Sequence, residues 1–164
     1  ENTNEPYGES PVSTAMGAYF NKKAYTDPAL RRKYTLMGFW VNIRLIRYPD
    51  VLLMAAESAN EKGLMGEASG YLEQVRAHAR GTLTNVLPKV ESLDQSVLRE
   101  AIRHERRVEL GLEPDRFYDL VRWGIAQEVL QAAGKNYQPK NALLPLPQTE
   151  IDKSNGVLVQ NPDY

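Results

Sequence analysis

Residues 98–124, LREAIRHERRVELGLEPDRFYDLVRWG, carry the reading on which the fold depends. They read as one charged helix, a Gly/Pro break and a short aromatic helix. Upstream, Ser92 with Gln95 three residues on has the capping-box pattern, which predicts a helix start near Leu93. Leu98, Ala101, Ile102, Val108 and Leu112 recur at helical spacing and predict an apolar stripe. Glu105 and Glu109 fall on or beside that stripe. Four residues apart, they share one helix face close to the core.

A carboxylate near a core has to be neutralised or paired, because an unpaired buried charge is very costly. Arg103, Arg106 and Arg107 lie on the same helix, and Arg116 and Arg122 follow just past the break. The residues therefore predict a structural charge network of Glu105, Glu109, Arg106, Arg107, Arg116 and Arg122, locking the helix to the segment after Pro114. The competing readings are an acid/base pair or a metal site. Two carboxylates without His, Cys or Asp at ligand spacing make a poor metal site, and neighbouring arginines repel a cation. His104-Glu105 opens like a zincin motif, but Val108 stands where the second His is required. A glycosidase pair must flank its bond from opposite sides, whereas carboxylates on adjacent turns of one helix lie about 6 Å apart on one face. No catalytic residue, metal or cofactor is expected.

Working outward, the 164 residues have room for one domain with a sizeable core. Twenty basic and 21 acidic residues nearly cancel without forming blocks, which argues against a nucleic-acid partner. The absence of cysteine removes disulfides, thiolate metal sites and a cysteine nucleophile. No apolar run approaches the length needed to span a bilayer. The chain opens on Glu1-Asn2-Thr3-Asn4, with neither an initiator Met nor a signal peptide, so it is expected to be a piece of something longer.

Two regions are expected, an aromatic-rich loop over 1–42 and a helical domain over 43–164. The first holds turn formers (Pro6, Gly8, Pro11, Gly17, Asp27-Pro28) and seven of the 14 aromatics, without a sustained period. Aromatics on loops can stack on sugar faces, although most such residues anchor their loop to neighbouring helices.

A helix is predicted over 47–62, with Pro49 and Asp50 in its first turn and Gly63 at its end. The nearly unbroken apolar run from Val51 to Ala56 predicts burial on most sides. A second helix over 67–80 should bury Ala68, Tyr71, Leu72, Val75 and Ala79 and turn Glu73, Arg76 and Arg80 to water. The pair forms an antiparallel hairpin of about 34 residues, the size of a tetratricopeptide unit, and one such pair needs further helices to cover it. Pro88 keeps 83–90 irregular. Phe117, Leu120, Val121 and Ile125 give the aromatic helix its apolar face, with a further helix over 126–133 closed by Gly134. The tail from Lys135 is irregular, and its leucines and valines predict that it is pinned across the helices.

Four blocks resemble the carboxy-terminal part of the SusD/RagB family of bacterial outer-membrane nutrient-binding lipoproteins. They are NIRLIRYPDVLLMAAESANEKG (42–63), YLEQVRAHAR (71–80), HERRVELGLEPDRFYDLVRWG (104–124) and LLPLPQTEIDKSNGVLVQNPDY (143–164). Their order and spacing also fit, and AYFNKKAYTDP (18–28) resembles the segment that precedes them in family members. The resemblance implies an all-α, SusD-like, tetratricopeptide-type scaffold with long irregular loops and an irregular C-terminal tail. It also implies a cell-surface lipoprotein of Bacteroidetes-type bacteria that lids a SusC-like TonB-dependent transporter, captures oligosaccharides (peptides in some members) and performs no chemistry. Where many members carry Phe-Glu-Gly before Arg-Phe/Trp, this chain has Leu112-Glu113-Pro114-Asp115, which alters a turn.

The first functional expectation is therefore glycan binding within an outer-membrane uptake system, with membrane contact only through a lipid anchor on the missing amino-terminal part. Tyr34, Phe39 and Trp40, with Tyr25 behind them, are the candidate ligand contacts. The second is a tetratricopeptide-like module for peptide or protein binding, for which Asn60 is the obvious helix-borne candidate in a groove.

Overall fold

The computed structural model describes residues 44–164, together with the backbone of two short strands, β1 (Asn2–Thr3) and β2 (Phe20–Asn21). The strands pair antiparallel, Thr3 opposite Phe20. Among the described residues the remaining regular structure is helical: α1 (Tyr48–Glu61), α2 (Met65–Arg80), α3 (Gln95–Glu109), α4 (Asp115–Arg122), α5 (Ala126–Ala132), a 3-10 turn at Pro139–Ala142 and α6 (Gln148–Lys153). The fold is all-α with long irregular connections. The chain divides into two compact units, Glu1–Glu113 and Pro114–Tyr164. Among the described residues no helix is long and apolar enough to cross a membrane.

In the first unit, α1 starts from an extended Arg47 and has Pro49 in its first turn, where a missing N–H leaves nothing unpaired. It stops at Gly63, which takes φ +77°. The Gly63 N–H donates to Asn60 O and the Leu64 N–H to Ala59 O, the paired bonds of a Schellman end that needs a left-handed residue there. The apolar run does not give burial on most sides. Leu52, Leu53, Ala56, Ala59 and Asn60 are buried while Val51 and Met54 are exposed, because successive helical residues point about 100° apart and only one face meets α2 and α3.

Helix α2 presents Ala68, Leu72 and Val75 to the same core, which α3 completes with Leu98 and Ile102. Two expectations for α2 fail. Ala79 is exposed, and Glu73, Arg76 and Arg80 turn to protein partners rather than to water. The reason lies in the long connection over 81–94. Arg80 donates from Nε and Nη2 to Leu87 O, Arg76 Nη2 donates to Pro88 O, and Ser69 Oγ donates to Val90 O. The connection thus runs back along α2 from its end toward its beginning, and its carbonyls supply acceptors that sequence periodicity does not reveal.

That return sets the direction of α3. Near one end Arg47 meets Glu109, and near the other Asn60 meets Gln95, so α1 and α3 run antiparallel. The α3 cap is Asp94, not Ser92: its carboxylate accepts from the N–H groups of Ser96 and Val97, while Ser92 Oγ accepts from the Asp94 N–H. The Gln95 side chain does not close a capping box but donates to Asn60 O at 2.7 Å. Val108 and Leu112, placed on the stripe by spacing, are exposed. The buried face continues instead through Glu105 and Arg106 to Leu110.

In the second unit Leu120, Ala126 and Tyr137 are buried together, with Phe117, Val121 and Ile125 packed against them. Gly124, at φ +70°, ends α4 with the Ile125 N–H on Leu120 O. The tail is held by itself. The Gln160 side-chain amide accepts from Leu146 N and donates to Leu146 O, Asn161 Nδ2 donates to Leu144 O, and the Tyr164 hydroxyl bonds to Leu143 O. Side-chain amides take the place of a neighbouring strand, so the backbone is satisfied although Leu144, Val157 and Val159 remain exposed, contrary to the expectation that tail apolar residues lie against helices.

Candidate functional site

The charged residues of the first unit form an ionic framework along the α1–α3 and α2–α3 contacts. Arg47 supplies its centre. Its Nε donates to Glu113 Oε2 at 2.9 Å, and its Nη1 to Glu109 Oε1 at 2.8 Å. Its Nη2 donates to the Glu109 carbonyl at 2.9 Å and lies 2.8 Å from Glu113 Oε1. Burial pulls the Arg47 pKa down, and the hydrogen bonds to Glu113 and Glu109 outweigh it, so the net direction is up. The guanidinium fork matches two carboxylates and a carbonyl at once, which a lysine could not do.

One turn along, Arg106 Nη1 donates to Asp50 Oδ1 at 2.9 Å. At the far end of α1, Arg99 forks onto Glu61, and that hydrogen bond holds the Glu61 carboxyl below its usual value. Between α2 and α3, Arg76 Nη1 lies 2.6 Å from Glu105 Oε2. The Asp94 carboxyl is likewise held low, first by the Ser96 hydroxyl and then by the Val97 N–H.

The expected network therefore has other partners than those the sequence suggested. Glu105 receives Arg76 from α2, and Glu109 receives Arg47 from the start of α1. Arg106 is buried as expected but faces Asp50, whereas Arg107 is exposed. Arg122 pairs with Asp119, and both Arg116 and Arg122 lie against the Trp123 ring, at 5.9 and 4.9 Å from its centroid. Trp123 is thus engaged by guanidinium groups and is not an open stacking platform. Of the missed partners Arg47, Asp50 and Arg76, the first two did leave a trace. Arg47/Asp50 and Arg106/Glu109 each place the cation three residues before the anion, the shared order that lets antiparallel neighbours pair crosswise, 47 with 109 and 50 with 106.

Chemically, this arrangement braces helices. The Glu105 side chain is 4 % exposed and salt-bridged to Arg76, and Glu109 is tied to Arg47, so both carboxylates are engaged in ion pairs between helices. Among the described residues no group of His, Asp and Glu could hold a metal ion. Asn60, the candidate for a peptide groove, is fully buried, with Nδ2 donating to Gln95 O at 3.1 Å. The candidate ligand contacts Tyr25, Tyr34, Phe39 and Trp40 lie outside the described residues.

Comparison with known proteins bears out the family resemblance. The SusD family profile matches residues 1–164. SusD-like protein P25 of Formosa agariphila is 39 % identical over 124 residues, which cover 71 % of this chain and 23 % of the relative. SusD-like protein P2 of the same organism is 36 % identical over 127 residues, covering 73 % and 25 %. The crystal structure of a SusD homolog from Bacteroides thetaiotaomicron superposes with a TM-score of 0.67 at 30 % identity, over 81 % of this chain and 30 % of that one. The chain spans about a quarter of the length of these curated relatives. Matched by the family profile from its first residue to its last, the chain belongs to the SusD family.

Proposed function

We propose that this chain is scaffold for a nutrient-binding protein of an outer-membrane uptake system, one that captures oligosaccharides for a SusC-like TonB-dependent transporter. The observation that carries the reading is the family match over residues 1–164, in a chain whose buried carboxylates are committed to holding helices together. A binding component needs a rigid frame and no reacting groups, and a framework of this kind serves that need. In this reading the protein is not an enzyme, has no cofactor and no nucleic-acid partner, and sits on the cell face of the outer membrane as a lipoprotein. Tyr25, Tyr34, Phe39 and Trp40 would supply the aromatic faces on which sugar rings stack.

Peptide uptake, as the RagB side of the family name suggests, is the second reading. Burial of Asn60 against Gln95 takes away the one helix-borne residue that favoured a peptide groove, so the oligosaccharide reading stands first. The deciding experiment is a glycan and peptide array probed with this chain and with a full-length relative, each beside its Tyr34→Ala/Trp40→Ala form or the equivalent. Glycan binding lost in the double variant, with helicity unchanged, is the expected result. Peptide binding without glycan binding would replace the first reading with the second. Glycan binding unaffected by the double variant would move the contacts elsewhere in the protein.

A further inference from the structure

Helix α3 ends in a turn that its own sequence does not explain. Gly111 is the residue suited to a left-handed conformation, yet the left-handed residue is Leu112, at φ +65°. A leucine there crowds its Cβ against the backbone, and such strain persists only where the surroundings impose it. Packing does not impose it, because the Leu112 side chain is exposed. Two local hydrogen bonds cross the turn, from the Gly111 N–H to Val108 O and from the Glu113 N–H to Leu110 O. The remaining constraint comes from a distant residue. Arg47 grips the Glu109 carbonyl and carboxylate before the turn and both carboxylate oxygens of Glu113 after it.

We propose that Arg47 is an ionic latch, closing the 109–113 turn over a strained Leu112 at the point where the chain leaves the three-helix unit. The geometry gives the latch two jaws that act together. With Glu109 and Glu113 both held by one part-buried guanidinium, the ends of the turn are fixed, and Leu112 takes the left-handed shape between them. Release of either jaw lets Leu112 relax out of the left-handed region and opens the turn, while the Leu53, Leu72, Leu98 and Ile102 core stays packed.

Amide hydrogen exchange on the whole chain tests this with Arg47→Met, Glu113→Gln and Glu113→Gln/Leu112→Gly. In the first two variants the Gly111 and Glu113 amides should exchange about tenfold or more faster, with Leu98 and Ile102 amides unchanged. Adding Leu112→Gly should restore part of the lost protection, since glycine adopts this conformation without crowding. That rescue separates a latch on a strained turn from a pair that merely adds stability. Glu113→Gln leaves Arg47 paired with Glu109, so it decides the matter even where Arg47→Met fails to fold. Unchanged exchange in the turn of Glu113→Gln, a uniform increase along α3, or a further loss of protection on adding Leu112→Gly would each overturn the proposal.

Discussion

Arg76 on α2 reaches Glu105 on α3 at 2.6 Å, with side chains 12 % and 4 % exposed, and the same guanidinium donates to Pro88 O. One residue thereby ties α2, α3 and the returning connection. Breaking a pair buried this deeply strands a charge away from water. Arg76→Met should lower unfolding stability by about 3–5 kcal/mol in urea melts followed by circular dichroism, and Arg76→Met/Glu105→Leu should recover most of it. A loss below about 1 kcal/mol would mean that the pair is screened like a surface bridge.

Asn60 and Gln95 exchange hydrogen bonds between side chain and main chain, joining the end of α1 to the start of α3. Asn60→Leu removes the donor to Gln95 O inside a fully buried site and should cost about 1–3 kcal/mol. Gln74→Ala, on the exposed side of α2, should stay within about 0.5 kcal/mol and serves as the control. Equal effects at the two positions would count against the Asn60 contact.

The Asp94 and Glu61 carboxyls are both held below their usual values, by the Ser96 hydroxyl and the Arg99 guanidinium respectively. A depressed folded pKa contributes stability that is complete above the unfolded value, near pH 4, and is lost as pH falls through the folded one. Urea midpoints measured from about pH 6 down to pH 3 should therefore fall on acidification. The decline should be shallower in Asp94→Asn and in Glu61→Gln, and slopes identical to the parent's would remove both groups from the account.

One-sided burial of α1 separates two adjacent residues. Leu53 is fully buried and Met54 is 42 % exposed. Leu53→Ala should cost about 2–5 kcal/mol, and Met54→Ala less than about 1 kcal/mol. Comparable losses at both would restore the burial on most sides that the apolar run 51–56 suggests.

Local chemistry made the helices legible. Pro49, Asp50 and Gly63 bracket α1, Gly81 closes α2, and Phe117, Leu120 and Val121 give α4 its inner face, because capping and periodicity act within a few residues of one another. The carboxylates Glu105 and Glu109 were legible as groups in need of partners, since a charge on an apolar stripe cannot stay alone. Which cations answer them was not. Arg103, Arg106 and Arg107 are nearest in sequence, but neighbours on the same helix point around its axis, whereas Arg47 and Arg76 arrive from facing helices.

The sequence by itself determined an all-α chain, an α1–α2 hairpin, a charged third helix and membership of a recognisable family. Tertiary structure alone decided that 81–94 runs back along α2 and makes α3 antiparallel to α1. It also decided that Arg76 and Arg80 turn inward to meet that connection, and that Leu112 rather than Gly111 takes the left-handed turn. The physical reason is range. Helix propensity, caps and periodicity are set by residues within a turn or two, whereas each of these outcomes joins groups from separate segments, and a one-dimensional pattern does not state which distant donor will reach which acceptor.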